Sequence, residues 1–480
     1  MTTLFWFRND LRVDDNPALL RACADGKVVP VYCLEQSRRG PHRQRFLCEA
    51  LHDLHQQLRQ RGSHLVVRHG TPADALTALA HSVNARRIVT SWQPGTEEAE
   101  ALAAVQRALP NIPVEMIEND GLFRRAQLPF ALDNLPRTFT AFRKKIEAHA
   151  ESDLPLDAPD TLPPVADAAL ALDQGVPSSL HSSLHSPSHS PSHALYVGGE
   201  TAGWQRLQHY FRDSKALRHY KETRNGLLGM DYSSKFSPWL AHGCLSPRRI
   251  VAEVRRFEAD IVKNDSTYWL VFELLWREYF RWLSLFAGAR LFRFQGMREP
   301  PVPMPDFSSR YFTAWSEGNT GMPFIDANMR ELNATGFMSN RGRQNVASFL
   351  IHDLQQDWRL GAAWFEQQLL DYDVASNWGN WAYIAGAGSD PRQGRWFNVL
   401  GQALRYDPQG DYVSHWLPEL TVLPPARRHM PFIESASIES TAPPLAHDYP
   451  DLIIPVPEGW RDDLPPLHGN TDQHRSRRRR

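Results

Sequence analysis

The sequence predicts an α/β amino-terminal domain with a doubly wound parallel sheet, followed by an all-α carboxy-terminal domain. Three observations support this division. Short apolar runs alternate with helical patterns up to about residue 120. From residue 201 to about residue 412 the pattern is helical, with few strand signals. Of the 15 tryptophans, 12 fall between Trp204 and Trp416, so the two parts differ in composition.

Five short apolar runs in the amino-terminal part have the length of buried strands. They cover residues 4–7, 28–34, 65–68, 87–90 and 114–117. Helical patterns lie between them, for example at 44–61, 72–81 and 96–108. Repeated strand–helix–strand units imply a parallel sheet covered by helices on both faces. After the first run, Asn16 and Pro17 predict a helix cap and the first helical residue.

Composition divides the chain into four segments. We expect an α/β domain at 1–135, a linker at 136–200, a helical domain at 201–425 and a proline-rich, disordered tail at 426–480 that ends in four arginines. Four histidines in the linker are spaced by four residues, which would align them on one helical face as metal ligands. Pro187 and Pro191 interrupt any such helix, so we interpret the stretch as a flexible linker. Those histidines are His181, His185, His189 and His193.

Charge and cysteine content restrict the class of protein. The formal net charge of −1 argues against a wholly basic nucleic-acid binder, so any polyanion site must be a local patch. The 4 cysteines lack C-x-x-C spacing, which indicates a reducing compartment and no structural metal site. No apolar run is long enough to span a membrane and no secretory signal is present. We expect a cytoplasmic monomer without a membrane partner.

The stretch from residue 370 to residue 386 is the most unusual in the chain. It holds two acids, two amides, two tryptophans and two tyrosines among small residues. Asp371 to Gly379 is predicted to form a tight bend, because Asp, Asn and Gly favour turns over helix interiors. Such a bend beside aromatic planes suits a flat ring system with polar edges, such as a flavin. A polar loop held by buried indoles is an equally good interpretation of this segment alone.

A second unusual stretch, at 268–283, is apolar on nearly every face and predicts a core helix. Its charges therefore need partners. Glu273 and Arg277 are four residues apart in the order that favours an intrahelical ion pair. Alternatively, Glu273 and Trp276 line a cavity.

Several ordered blocks of the chain resemble the photolyase/cryptochrome family over nearly its whole length, and most closely the cryptochrome DASH branch. The blocks are W-F-R-N-D-L-R-V-D-D-N-P-A-L at 6–19, D-N-L-P-R-T-F-T-A-F-R-K-K-I-E at 133–147, the serine-rich stretch at 220–248, W-R-E-Y at 276–279, F-M-S-N-R-G-R-Q-N at 337–345 and N-W-G-N-W-A-Y-I-A-G-A-G-S-D-P-R at 377–392.

The resemblance implies that the helical domain binds a U-shaped FAD. The positions that match the phosphate and ribityl contacts are Tyr220, Ser233, Ser234, Lys235, Phe236 and Ser237. Hydroxyls and backbone N–H groups in such a turn suit a pyrophosphate, although they would equally cap the following helix. The positions that match the isoalloxazine surroundings are Arg277, Arg343, Asp371, Asp373 and Asn377, with Asn377 facing flavin N5. An Arg343–Asp371 pair there would favour a negatively charged reduced flavin.

The resemblance also implies light-driven electron transfer from reduced FAD to a cyclobutane pyrimidine dimer. Glu273 and Asn340 match substrate-contacting positions, Trp276 matches the aromatic wall, and Asn377 belongs to the same catalytic set. Two residues depart from ordinary dimer photolyases, since Tyr383 replaces a tryptophan and Gln344 replaces a methionine. Weaker stacking would hinder extraction of a lesion from a duplex, so we expect single-stranded or locally unpaired DNA as the substrate. RNA binding stays open.

Trp381 and Trp358 match the inner members of the family's tryptophan relay, which photoreduces FAD. Pro305 stands where the third member is expected. Either Tyr311 or another aromatic residue substitutes, or photoreduction is slow.

Glu147 matches the position that holds a methenyltetrahydrofolate (MTHF) antenna pigment in the same branch. A charged helix face explains the same residues without a ligand.

For the whole chain we expect a photolyase that prefers single-stranded DNA. One alternative is a non-enzymatic blue-light photoreceptor whose flavin reduction alters its binding to nucleic acid or to a regulatory partner. Another is an unrelated α/β flavoprotein with a helical cap.

Overall fold

The structure is a computed structural model that describes residues 2–24, 26–35, 39–177, 196–390, 394–436 and 448–463. The four spaced histidines and the terminal arginines lie outside these residues, so the interpretation of both stays a prediction. The chain packs as two compact units. The first comprises Met1–Met304, Glu331–Ser339 and Asp357–Arg395, and the second Pro305–Arg330, Asn340–Gln356 and Trp396–Arg480. The predicted boundaries at 135, 200 and 425 stay a prediction, since the packing units divide the chain elsewhere.

The first unit begins with a five-stranded parallel sheet of order β3-β2-β1-β4-β5. Its strands are β1 Thr2–Phe7, β2 Lys27–Leu34, β3 Val66–His69, β4 Ala85–Ser91 and β5 Val114–Ile117. The connecting helices are α1 Pro17–Cys23, α2 Pro41–Gln60, α3 Pro72–Ser82 and α4 Thr96–Ala108. Leu4 of β1 pairs in register with Val29 of β2 and Ile88 of β4. The doubly wound parallel sheet predicted from the alternating pattern is confirmed.

Helices dominate the described chain after the sheet. They are α5 Phe139–His149, α6 Asp167–Leu170, α7 Glu200–Gln208, α8 Tyr220–Thr223, α9 Ser237–Ala241, α10 Pro247–Asp260, α11 Asp265–Ala287, α12 Ser309–Glu317, α13 Pro323–Thr335, α14 Asn340–Ser348, α15 Trp358–Gln368, α16 Val374–Ile384, α17 Val399–Tyr406 and α18 Asp411–Trp416. No helix among the described residues combines the length and the apolar character needed to cross a bilayer.

The loop after β1 is held by buried hydrogen bonds. The cap predicted at Asn16 is confirmed, since its side-chain oxygen accepts from the N–H of Leu19 at 3.0 Å. Arg12 is buried, and its guanidinium donates to the carbonyls of Asn119 at 2.8 Å and Gly243 at 2.9 Å. A buried arginine is tolerated only when its donors are satisfied. Arg12 therefore ties the sheet's first loop to the turn that precedes α10.

The predicted core helix at 268–283 is confirmed as the central part of α11. Asn264 caps its first turn, accepting from the N–H of Ser266 at 2.9 Å. Trp282 and Tyr279 are fully buried. Buried Glu278 accepts from the N–H of Leu122 at 2.9 Å and from the indole of Trp282 at 2.7 Å, so its carboxylate is satisfied inside the core.

The expectation that the chain is disordered from residue 426 onward is wrong for residues 448–463. Within the second unit, Trp460 is fully buried and stacks on Phe349 at 6.3 Å between ring centroids. Buried Tyr449 bonds through its hydroxyl to Asp326. Two large aromatic side chains bury enough apolar surface to hold a proline-rich segment that has no helical periodicity.

Candidate functional site

The predicted bend at Asp371–Gly379 is shorter than expected. It ends at Asp373, whose carboxylate accepts from the N–H of Ser376 at 2.7 Å and caps α16. Gly379 lies inside that helix, where a Cβ would overlap the ring of Phe280 in α11. The glycine therefore serves close packing of two helices rather than a turn.

Asn377 is buried in α16, and its side-chain N–H donates to the carbonyl of Ala362 at 3.0 Å. Ala362 lies in α15, so the amide is held between two helices. An amide fixed in this way keeps one orientation towards any ring bound beside it. The role of Asn377 at flavin N5 stays a prediction.

Arg277 contacts the bend from α11. Its guanidinium donates to the carbonyl of Asp120 at 2.7 Å and lies 3.7 Å from the carboxylate of Asp373. Its Nε is buried and has no hydrogen-bond partner within the described chain. A buried donor without a partner is costly, which indicates an acceptor supplied from outside the protein.

The intrahelical pairing of Glu273 with Arg277 is wrong. Glu273 instead pairs with Arg224 at 2.5 Å, whereas Arg277 contacts Asp120 and Asp373. Burial raises the pKa of Glu273, and the positive charge of Arg224 offsets part of that rise. The alternative, that Glu273 and Trp276 line a cavity, stays a prediction.

In the predicted phosphate turn, backbone carbonyls are held by hydrogen bonds, whereas the serine hydroxyls are not. Arg206 donates to the carbonyls of Ser233 at 3.0 Å and Ser234 at 2.9 Å. The hydroxyls of Ser233, Ser234 and Ser237 make no hydrogen bond to other residues in the described ranges. Donors that are positioned but unused fit an anionic ligand.

The rest of this turn packs inward. Lys235 is buried in a left-handed conformation, with φ of 58°, and its ammonium bonds to the hydroxyl of Tyr232. Phe236 and Tyr220 are buried in the core. The ammonium of Lys235 is thus held beside Tyr232, while the two aromatic residues shape the turn from the inside.

Trp276 and Tyr383, which are distant in sequence, come together in the first unit. Their rings meet edge to face, with centroids 5.7 Å apart and planes at 78°. Phe139 stacks on Trp276 at 3.8 Å, and Arg395 lies 4.6 Å above the ring of Tyr383. Sequence reasoning missed Phe139 and Arg395, since neither differs in type from ordinary core or surface residues.

Three predicted site residues lie on α14 in the second unit. Asn340 is the exposed first residue of the helix, and Arg343 and Gln344 are half-buried on it. Arg341 donates to the side-chain oxygen of Gln344 at 2.9 Å. The Arg343–Asp371 pair and the substrate contacts of Asn340 and Gln344 stay predictions.

The two predicted relay residues are both buried, Trp358 at the start of α15 and Trp381 in α16. The indole of Trp358 donates to the carbonyl of Phe294 at 3.1 Å. Its ring also meets that of Trp378, with centroids 5.8 Å apart. Trp378 was missed, although N-W-G-N-W places it three residues before Trp381.

Glu147 lies near the end of α5, and its carboxylate is engaged by two side chains. It accepts from the hydroxyl of Tyr268 at 2.6 Å and lies 3.1 Å from the guanidinium of Arg143. The group predicted to bind a pterin is therefore held in place by a phenol and a cation.

Both ends of the chain match photolyase domain models. Residues 3–163 match the model described as DNA photolyase, and residues 269–462 match the FAD binding domain of DNA photolyase.

Similar proteins are found over nearly the full length. A cryptochrome DASH from Gloeobacter violaceus is 46% identical over 469 residues, covering 94% of this chain and 93% of that protein. A cryptochrome DASH from Xenopus laevis is 42% identical, covering 95% of this chain and 90% of that protein. The crystal structure of a Synechocystis cryptochrome superposes with a TM-score of 0.85 at 44% identity, covering 90% of this chain and 92% of that one.

Proposed function

Because the chain belongs to the photolyase/cryptochrome family, in its cryptochrome DASH branch, we propose that it is a blue-light-dependent photolyase for cyclobutane pyrimidine dimers. Its preferred substrate is single-stranded or locally unpaired DNA. The observation that supports this best is the edge-to-face contact of Trp276 and Tyr383, one turn of helix from Glu273. An aromatic wall beside a carboxyl group suits two stacked bases that carry carbonyl oxygens.

The residues in the first unit fit FAD. The orphan Nε of Arg277 and the unbonded hydroxyls of Ser233 and Ser234 supply donors for a ribityl chain and a pyrophosphate. Asp371, Asp373 and Asn377 would hold the ring edge. When bound in its reduced form, FAD supplies the electron that opens the dimer.

Glu273 would face the base carbonyls of the dimer. Burial raises the pKa of its carboxyl group, and the positive charge of Arg224 opposes that rise. Arg224 fixes the position of that carboxyl at 2.5 Å.

Tyr383 limits the substrate to unpaired lesions. Stacking of a base on an aromatic side chain contributes about 1–3 kcal/mol, and a phenol offers less area than an indole. Arg395 also covers one face of the Tyr383 ring. Less stacking leaves less free energy to extract a dimer from a duplex.

The antenna pigment is MTHF, held at Glu147. Tyr268 and Arg143 keep the Glu147 carboxylate oriented, so that its remaining lone pairs can accept from a pterin amine.

The protein is cytoplasmic and works as a monomer, with single-stranded DNA as its partner and RNA as a secondary one.

Repair of a thymine dimer in a single-stranded oligonucleotide tests the proposal. Protein with chemically reduced FAD is illuminated with blue light, beside a dark control and the same lesion in a duplex. Light-dependent repair in the single strand, weaker in the duplex, supports the proposal. Trp276→Ala should abolish repair, whereas the matched control Trp204→Ala, of a half-buried indole on α7, should not. Absence of repair with reduced flavin bound would move the protein to the photoreceptor class.

A further inference from the structure

A line of aromatic side chains runs from the core of the first unit towards its surface. Trp358 is fully buried, whereas Trp378 and Tyr372 are both half-buried. The rings of Trp358 and Trp378 meet at 76° with centroids 5.8 Å apart. The indole N–H of Trp378 lies 3.3 Å from the hydroxyl of Tyr372. Each step is a direct contact.

A carboxylate stands at the outer end of this line. Glu366 accepts from the indole of Trp378 at 3.2 Å and also bonds to the hydroxyl of Tyr372. A negative charge at this distance stabilises a positive charge on the indole. The buried indole of Trp358 has a backbone carbonyl as its partner instead, so a positive charge is less stable there.

We propose that Trp378 and Tyr372 form the outer end of the electron relay that begins at Trp358, with Tyr372 as the final electron donor. This inference rests on the proposed light-driven flavin chemistry. It places the surface end of the relay within the first unit, on α15, α16 and the bend between them. Pro305, at the position where the resemblance predicts the third tryptophan, has no aromatic ring and cannot serve.

The electron and proton transfers balance along this path. Trp381 gives one electron to light-excited oxidised FAD, and Trp358, Trp378 and Tyr372 each pass one electron inward in turn. As Tyr372 is oxidised, its O–H bond breaks and the proton moves to the carboxylate of Glu366. A neutral tyrosyl radical and a protonated Glu366 result. An added thiolate later supplies one electron to Tyr372 and becomes a thiyl radical, while Glu366 returns its proton to the phenol oxygen.

Arg43 explains why the proton must leave. Its guanidinium lies 4.5 Å above the ring of Tyr372, where a second positive charge on the phenol would be repelled. Transfer of the proton to Glu366 removes that repulsion. Burial, and then the contact with Glu366, raise the pKa of Tyr372, so the phenol is protonated before the electron leaves.

The test follows photoreduction of bound FAD in the full chain with a thiol present. Trp378→Phe should slow photoreduction at least about tenfold, equivalent to about 1.4 kcal/mol. Tyr372→Phe removes a single oxygen and should replace a tyrosyl electron paramagnetic resonance spectrum with a tryptophanyl one. Glu366→Gln should have the same spectral effect, because the proton acceptor is lost. Tyr311→Phe, the matched control, should behave like the wild type.

Photoreduction of Trp378→Phe at the wild-type rate, or an unchanged radical spectrum in Tyr372→Phe, would overturn the assignment. A defect in Tyr311→Phe would do so as well, since the exit would then lie on α12. FAD content and circular dichroism report whether each variant has folded. Wild-type protein reduced with dithionite does not need the relay, so its repair of a dimer tests the proposed photolyase activity alone. Failure of the relay assignment is thereby distinguished from failure of the proposed function.

Discussion

The guanidinium of Arg395 lies 4.6 Å above the ring of Tyr383 and also bonds to its hydroxyl. The same arginine pairs with Asp390 at 3.3 Å. Tyr383 is therefore fixed on one side by a cation that is itself fixed, while Trp276 meets it on another. The phenol is oriented before any substrate arrives.

Loss of this cation should weaken binding of the lesion. A cation–π contact at a partly exposed site contributes about 0.5–1 kcal/mol, so Arg395→Ala should lower the affinity for a dimer in a single strand by roughly two- to fivefold. Fluorescence anisotropy with a labelled oligonucleotide measures this. Arg395→Lys keeps the charge but not the planar group, so its affinity for the lesion should lie between those of the wild type and Arg395→Ala. Equal affinity in all three proteins would contradict the orienting role.

Enlarging the aromatic wall should extend the substrate range. Tyr383→Trp adds stacking area, and part of the roughly 1–3 kcal/mol per base should appear as improved repair of duplex lesions. The ratio of duplex to single-strand repair rates is the quantity to measure. Tyr383→Phe, which changes the hydroxyl but not the ring, serves as the control. An unchanged ratio in Tyr383→Trp would mean that stacking does not set the preference.

Arg277 should be essential for retention of FAD. Charged hydrogen bonds contribute about 1.5–3 kcal/mol each, so Arg277→Met should weaken FAD binding by roughly ten- to a hundredfold. Release of flavin fluorescence on dilution measures the dissociation constant. Arg212→Met, at a surface ion pair with Asp260, is the matched control and should bind as the wild type. Tight binding by Arg277→Met would show that its buried Nε does not meet the cofactor.

His242 should make the bend sensitive to acid. Burial lowers its pKa to about 3, and its ring nitrogen donates to the carbonyl of Leu370 at 3.1 Å. The unfolded chain takes up a proton near pH 6.5 and the folded chain does not, so stability is lost as the pH falls below that value. From pH 6.5 to pH 5 the loss should be about 1.6 kcal/mol, because the full slope of about 1.4 kcal/mol per pH unit is reached only well below pH 6.5.

Urea unfolding at both pH values measures that loss. His242→Gln can still donate to the Leu370 carbonyl but does not titrate, so its free energy of unfolding should change less over the same interval. A wild-type stability that stays constant from pH 6.5 to pH 5 would contradict the prediction.

The segment 448–463 should contribute measurably to stability. Truncation of a fully buried tryptophan costs about 3–5 kcal/mol, so Trp460→Ala should lower the melting temperature and expose the segment to protease. Trp396→Ala, at a 46% exposed indole, is the control and should cost far less. Equal melting temperatures for Trp460→Ala and the wild type would indicate that the contact with Phe349 contributes little.

Features carried by local patterns could be predicted from the sequence. The alternation of apolar runs indicated the parallel sheet, and the Asn16–Pro17 pair indicated the first helix cap. The apolar stretch at 268–283 indicated a central helix, because its sides leave no solvent-facing stripe.

Contacts between distant residues could not be predicted in the same way. Glu273 has a cation four residues away in sequence, yet it pairs with Arg224, which follows α8. Gly379 is of a type that favours turns, yet it lies in α16, where it allows close packing against Phe280. Tyr449 and Trp460 lie among prolines that carry no periodic signal, so their burial depends on cavities formed elsewhere in the second unit. Tertiary packing overrides local propensity in each case.

Gly379 has a further consequence for the aromatic wall. Any side chain there would push α16 away from α11, and these are the helices that carry Tyr383 and Trp276. The 5.7 Å between the two rings is thus set by a residue that has no functional group. A substitution at this position would separate the rings of Trp276 and Tyr383 and so imitate the loss of one of them, although both side chains would still be present.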